Sequence, residues 1–285
     1  MTPAAPALLR TRAVDERDTI ASFLREDRLY AAYALGDLDG VTARRAAWGM
    51  AFDQEGRPRG LAMQHLGFAP QAVFLMGQPE ACRQVLQEVV RPRLAFFQAR
   101  DELAPALDRL YDVDPPTSLL RMVVDRSSFQ PWAGTVQRLS GTDLGDLNRL
   151  YGLGLGSGFP PSVLEDGVYF GVRSGGRLVA AAGTHAINQA EGIAVVGNVM
   201  THPDHRGQGH AKAVTSAVTA ELLERLPDVT LNVNATNVPA VAAYARLGYR
   251  EYCHLAEWVG YRHTGGWSLS GPIRQALRWA WPRSR

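Results

Sequence analysis

T-H-P-D-H-R-G-Q-G-H-A, Thr201–Ala211, follows an apolar run, GIAVVGNVM (192–200), and precedes a long amphipathic one, KAVTSAVTAELLERL (212–226). The stretch therefore sits at a strand-to-helix junction. A helix N-terminus leaves about four backbone N–H groups without intrahelical partners and carries roughly half a positive charge. Phosphate is its natural guest. Gly207 and Gly209 let the chain turn tightly and an oxygen approach the backbone, and Arg206 adds a permanent cation. Taken alone, the same letters also fit a plain turn with glycines for shape.

The neighbouring segments read as mixed α/β. TVQRLS (135–140) is a short strand, GTDLGDLNRLYGL (141–153) a helix, and GLGLGSGFPPS (152–162) a loop. Two apolar runs flank Ser174-Gly175-Gly176, the signature of a hairpin. A strand from Glu191 to Met200 follows, then a helix from Gln208 to Leu226 with Ala211, Val214, Val218 and Leu222 on one face. VTLNVNA (229–235) is a strand, VPAVAAYARLG (238–248) a short helix closed by Gly248, and YCHLAEWVGY (252–261) a last strand.

The first half repeats this order. DERDTIASFL (15–24) is an opening helix, and residues 48–66 form a hairpin around Glu55-Gly56. Strand 71–77, helix 79–90, strand 94–100, helix 102–113 and strand 118–126 follow. Recurrence of element order points to an internal duplication. The break falls near Ser127–Gly134, giving domains 1–130 and 131–262 with a basic, aromatic tail at 263–285. Where the second half has the arginine-glycine junction, the first reads M-G-Q-P-E-A (76–81), with one glycine and no arginine.

Bulk properties exclude several classes. The 285 residues are 46% hydrophobic and 20% charged, an ordinary globular composition. A net charge of +2 supplies no electrostatic case for nucleic acid. Cys82 and Cys253 lie far apart and match no metal or disulfide spacing. No segment approaches the roughly 18 apolar residues of a membrane span, and no signal-peptide core is visible, so the expectation is a soluble cytoplasmic protein.

About twenty residues past the junction the chain reads L-N-V-N-A-T-N-V-P-A-V-A-A-Y-A-R-L-G-Y, Leu231–Tyr249. Together the two stretches resemble the GNAT N-acetyltransferase superfamily. Its pyrophosphate motif, [Q/R]-x-x-G-x-[G/A], is met by Arg206, Gly209 and Ala211, and its next motif by Asn237, Ala240, Tyr244, Gly248 and Tyr249. The wording V-M-T-H-P-D-H-R-G-Q-G-H-A is most similar to the glycine N-acyltransferase-like branch. The resemblance covers about residues 135–262, and the repeat extends it to a tandem GNAT-fold protein with a degenerate N-terminal domain.

The resemblance implies a set of roles. Acetyl-CoA, or a related acyl-CoA, is the expected co-substrate, with its pantetheine arm on the backbone of Val199, Met200 and Thr201. Its pyrophosphate is expected on the N–H groups of Arg206, Gly207, Gln208, Gly209, His210 and Ala211. Asn237 is expected to bond the pantetheine arm, and Tyr244 to give a proton to the departing thiolate. The reaction implied is acyl transfer to a primary amine of a small molecule or peptide. Where some members carry a basic glutamate this chain has Val195, so the base stays open between His185, Glu191 and a water chain. A catalytically silent CoA-binding sensor or scaffold is the alternative function.

Other features carry less. G-L-G-L-G-S-G (152–158) follows a helix rather than a strand, so it is no dinucleotide fingerprint. By the resemblance it is the loop over the acceptor cleft. His202, His205 and His210 fit no zinc spacing, and no metal is expected. In the tail, Ile273, Leu277 and Trp281 share a helical face, expected to dock on its own domain or a second copy, so a homodimer is one possibility.

Overall fold

The computed structural model describes residues 8–38, 43–67, 70–155 and 158–263. The tail stripe of Ile273, Leu277 and Trp281 lies outside them. The chain forms two compact units: one runs to Leu119 and takes up the chain again from Cys253, and the other spans Leu120–Tyr252.

The first unit contains β1 (Arg10–Ala13), α1 (Arg17–Arg25), α2 (Ala32–Gly36), β2 (Ala46–Phe52), β3 (Pro58–His65) and β4 (Gln71–Gly77). After them come α3 (Pro79–Glu88), β5 (Leu94–Ala99) and β6 (Tyr111–Val113). The last strand of the chain, β13 (Arg250–Arg262), completes its sheet in the order β1-β2-β3-β4-β5-β13, with β6 also on β13. Only the β4–β5 pair is parallel, as the α3 crossover requires. Ala81, Cys82, Val85 and Leu86 of α3 pack into a core with Val73, Leu75, Phe97 and Trp258.

The second unit holds β7 (Thr117–Asp125), β8 (Gln137–Arg138), α4 (Leu144–Tyr151), α5 (Ser162–Asp166), β9 (Phe170–Ser174) and β10 (Arg177–Asn188). Next are β11 (Ile193–Thr201), α6 (His210–Leu223), β12 (Asp228–Asn234) and α7 (Val238–Ala245). The sheet order is β7-β12-β11-β10-β9-β8, and β11–β12 is parallel across the α6 crossover. Val214, Val218 and Leu222 of α6 bury against Val196, Leu231 and Val233 on one face. On the other face, α4 and α5 supply Leu147, Leu150, Tyr151 and Leu164.

Four expectations change. The division falls at Leu119/Leu120 and Tyr252/Cys253 rather than near residue 130. Strand β13 lies at the end of the second half in sequence, yet from Ala256 to Tyr261 it pairs with β5 of the first unit. The helix read over 102–113 is instead a 3-10 turn, Asp101–Ala106, followed by β6. Pro105 explains this, because it has no N–H to extend an α-helix. Finally, α6 starts at His210, since Gly209 takes a left-handed φ of 81° that no α-helix can include.

Candidate active site

The central feature of the second unit is a gap between two parallel strands. β11 and β12 pair from Ile193↔Asp228 to Val196↔Leu231 and no further, so Gly197 and Asn232 begin the parting. A β-bulge causes it. On the β10 side, Gly197 pairs with Gly183 and Met200 with Ala181, leaving an extra residue in β11. Asn198 takes φ 52°, a conformation that asparagine tolerates better than most residues. Its carbonyl accepts the Tyr151 hydroxyl at 2.7 Å, and its Nδ2 donates to the Tyr169 hydroxyl at 2.9 Å. Two buried tyrosines thus hold a bend that swings the strand end away. Val199, Met200 and Thr201 lie beyond it, half-buried. Met200 and Thr201 pair with Ala181 and Ala180 of β10, and toward β12 the strand is open. The buried Thr201 Oγ1 has no hydrogen-bond partner among the described residues.

The strand leads into the arginine-glycine loop. Pro203–His205 form a 3-10 turn whose N-cap, His202, accepts the Asp204 N–H at 3.3 Å through Nδ1. Gly207 and Gly209 have φ of 78° and 81°. The first backbone bond of α6 runs from Ala213 N to Gly209 O, so the N–H groups of residues 207–212 make no hydrogen bond among the described residues. Successive donors turned outward at a helix start make an anion site. Arg206 is exposed and forms no ion pair among the described residues. The rings of His202, His205 and His210 follow one another at 5.7 and 6.5 Å. No group of three or more metal-binding side chains is placed to hold a metal among the described residues.

One neighbour of the loop escaped the sequence reading. Trp132 donates its backbone N–H to Ser216 Oγ at 2.8 Å, and the Lys212 ammonium lies 3.4 Å from its ring centroid. A Cβ on Gly209 would come within 3.8 Å of the Trp132 Nε1. An aromatic ring and a second cation therefore border the donors.

Because β11 and β12 run parallel, the segments after both strands emerge at the same end, outside their carboxyl ends, where open α/β sheets bind ligands. Asn237 caps α7, its Oδ1 accepting the Ala240 N–H at 3.2 Å, which leaves its amide NH2 as the end free to bond elsewhere. Tyr244 is 8% exposed and stands edge-on to Tyr249, whose hydroxyl bonds Thr219 at 2.7 Å. Burial pushes the Tyr244 phenol up to about 12.

The three positions weighed for a base differ sharply. Val195 is fully buried core. Glu191 lies in the turn before β11, roughly 20 Å of extended strand from Gly197, and is also buried. His185 is the extra residue of a second bulge, between Thr184 and Ala186 of β10. Its ring covers Gly197, where a Cβ would fall 1.7 Å from the imidazole. Packing around that ring lowers its pKa, while the residue as a whole is exposed to solvent.

The glycine loop also comes to this end, since a Cβ on Gly154 would meet Met200 Cε at 3.4 Å.

The corresponding place in the first unit is filled. β4 and β5 pair from Gln71↔Ala95 to Phe74↔Gln98 and then part. Tyr30, 2% exposed, donates its hydroxyl to Leu75 O and accepts the Arg100 N–H at 3.2 Å. Cys82 Sγ lies 3.2 Å from Met76 O, and burial pushes its thiol up to about 12. α3 then opens on Pro79, which has no N–H, and carries Glu80 in its first turn.

Residues 169–259 match the family described as FR47-like protein, a span that contains the site from His185 to Tyr244. No curated protein matches the sequence. Several solved structures share the fold. A GCN5-related N-acetyltransferase from Sphaerobacter thermophilus is 17% identical, with a TM-score of 0.55 over 92% of this chain and 98% of that one. A tandem GNAT protein from the clavulanic acid biosynthesis pathway is 14% identical, with a TM-score of 0.54 over 92% and 100%. A Drosophila protein is 16% identical and reaches 0.65 over 90% and 98%. The chain has the mixed α/β fold of the GNAT acetyltransferases, and the match to the FR47-like family lies within its second half.

Proposed function

We propose that the unit spanning Leu120–Tyr252 is an acyl-CoA N-acyltransferase, taking acetyl-CoA or a related acyl-CoA and acylating a primary amine. The observation that carries this reading is the parting of β11 from β12 directly before a loop whose N–H groups, residues 207–212, have no hydrogen-bond partner among the described residues. A gap lined by open strand edge suits an extended amide-bearing arm, and Val199, Met200 and Thr201 are its backbone partners. The donor loop suits a pyrophosphate, with Arg206, Gly207, Gln208, Gly209, His210 and Ala211 around it. The NH2 of Asn237 is the available donor toward the arm.

In the reaction the amine nitrogen forms a bond to the thioester carbonyl carbon as the C–S bond breaks. His185 is the group we assign to take the proton from the amine, because its ring sits over the first residue of the parting. Tyr244 gives its proton to the departing thiolate. A phenol held above its ordinary range is fully protonated at neutral pH and so ready to donate. The first unit we read as a degenerate GNAT-like domain without a CoA site, since Tyr30 bridges Leu75 O and Arg100 N where β4 and β5 part.

A second reading, a CoA-binding sensor or scaffold without turnover, is favoured by the buried Val195, which puts no carboxylate on β11. Thiol release from acetyl-CoA with a panel of amines separates the two. Release with any amine supports the transferase, whereas acetyl-CoA binding with no release from any amine supports the sensor.

A further inference from the structure

Within the second unit, Arg121 and Asn232 make a polar pair that the roles above do not use. Leu120, Met122 and Val124 of β7, and Val229, Leu231 and Val233 of β12, belong to the core under α6. By strand alternation Arg121 and Asn232 face the other side of the sheet, where Met200 packs with α4 and α5. Arg121 is fully buried, and its Nε donates to Asn232 Oδ1 at 2.9 Å. That bond fixes which end of the amide is which. Nδ2 is the end left over, and it is buried without a hydrogen-bond partner among the described residues. A buried N–H left unmade is costly, so this donor is suited to an acceptor that a bound ligand brings.

Its position says what arrives. Asn232 is the residue after Leu231, whose partner Val196 makes the last contact between β11 and β12. The residue after Val196 is Gly197, under the His185 ring. The unused donor therefore stands across the mouth of the gap from the assigned base. An amide NH2 can only donate, so it cannot take the amine's proton, and a donor to the attacking lone pair would oppose the reaction.

We propose that Asn232, fixed by Arg121, positions the acceptor by donating to a carbonyl-type oxygen, carboxylate or amide, carried next to the reacting amine. The acceptor class is thus an amino acid or amino-acyl amide rather than a polyamine. This rests on the acyl-CoA reading of the same gap.

The test uses the full chain, acetyl-CoA, and matched amines with and without the oxygen: glycine, glycinamide and ethylamine, then phenylalanine, phenylalaninamide and phenethylamine. Thiol release gives kcat and KM, and calorimetry gives the acetyl-CoA Kd. The wild type should prefer the oxygen-bearing members by about tenfold in kcat/KM, the scale of one neutral hydrogen bond. Preference confined to the acids or to the amides identifies carboxylate or carbonyl as the group held. Asn232→Asp keeps an oxygen for Arg121 and removes the donor, so the preference should collapse through KM while the acetyl-CoA Kd stays within about twofold. Asn232→Ala serves if the aspartate does not fold. Equal or better rates with the oxygen-free amines, release from none of the six while acetyl-CoA binds, or an equal loss for every amine overturns the proposal. Failure to bind acetyl-CoA overturns instead the reading on which it rests.

Discussion

In the proposed reaction Tyr244 and His185 carry the chemistry at the residue scale, and their environments set the direction of each pH effect. Burial raises the Tyr244 pKa, so its proton-donating form persists well above neutrality. Tyr244→Phe should lower kcat by about a hundredfold or more, the usual worth of a positioned acid, while acetyl-CoA affinity is nearly unchanged. An unchanged kcat removes the residue from the mechanism. Packing around the His185 ring acts in the opposite direction, favouring its neutral form. Its base form should survive to below pH 6.5, about the ordinary histidine value, and be lost as the pH falls further. His185→Gln should abolish that acidic limb of the kcat profile and cost a similar factor in rate. An acidic limb that persists in the variant assigns the base elsewhere. Val195, where some members of the resembled family carry a glutamate, was visible in the sequence. The covering of Gly197 by His185 was not, because it depends on a bulge in β10.

Elements decide where those residues stand. The apolar face of α6 was legible, since Val214, Val218 and Leu222 recur at helical spacing and all three are buried. So was the arginine-glycine junction, whose two positive-φ glycines follow from the letters. The bulge at Asn198 was not legible, because the tyrosines that hold it stand 47 and 29 residues away in the chain. Asn232 was hidden for a similar reason: its partner Arg121 is 111 residues away. Gly248 was read as a helix stop, and the structure adds a stronger constraint. It has φ 89°, and a Cβ there would lie 1.9 Å from Ser128 O. Gly248→Ala should therefore cost about 2 kcal/mol or more, the sum of left-handed strain and a backbone clash. Urea unfolding checks this, and unaltered stability would mean that the Ser127–Gly134 segment can move aside.

Over the whole molecule, two units repeat one order of elements, a meander, a crossover helix and a parallel strand, and differ in whether the parting strands leave room. The repeat was visible as periodicity in the first half. The plug was not, since Tyr30 reaches Leu75 from 45 residues away and stood in a stretch with no strong pattern. Nor was the assignment of β13 to the first unit, because strand partners 159 residues apart leave no local trace. On the proposed function, one open gap and one filled gap make a definite statement about stoichiometry. Calorimetric titration of the full chain with acetyl-CoA tests it most directly. The account predicts one site per chain, abolished by Gly209→Glu, which sets bulk and negative charge among the donors of residues 207–212. Two sites per chain, no binding, or binding that survives the substitution would contradict it.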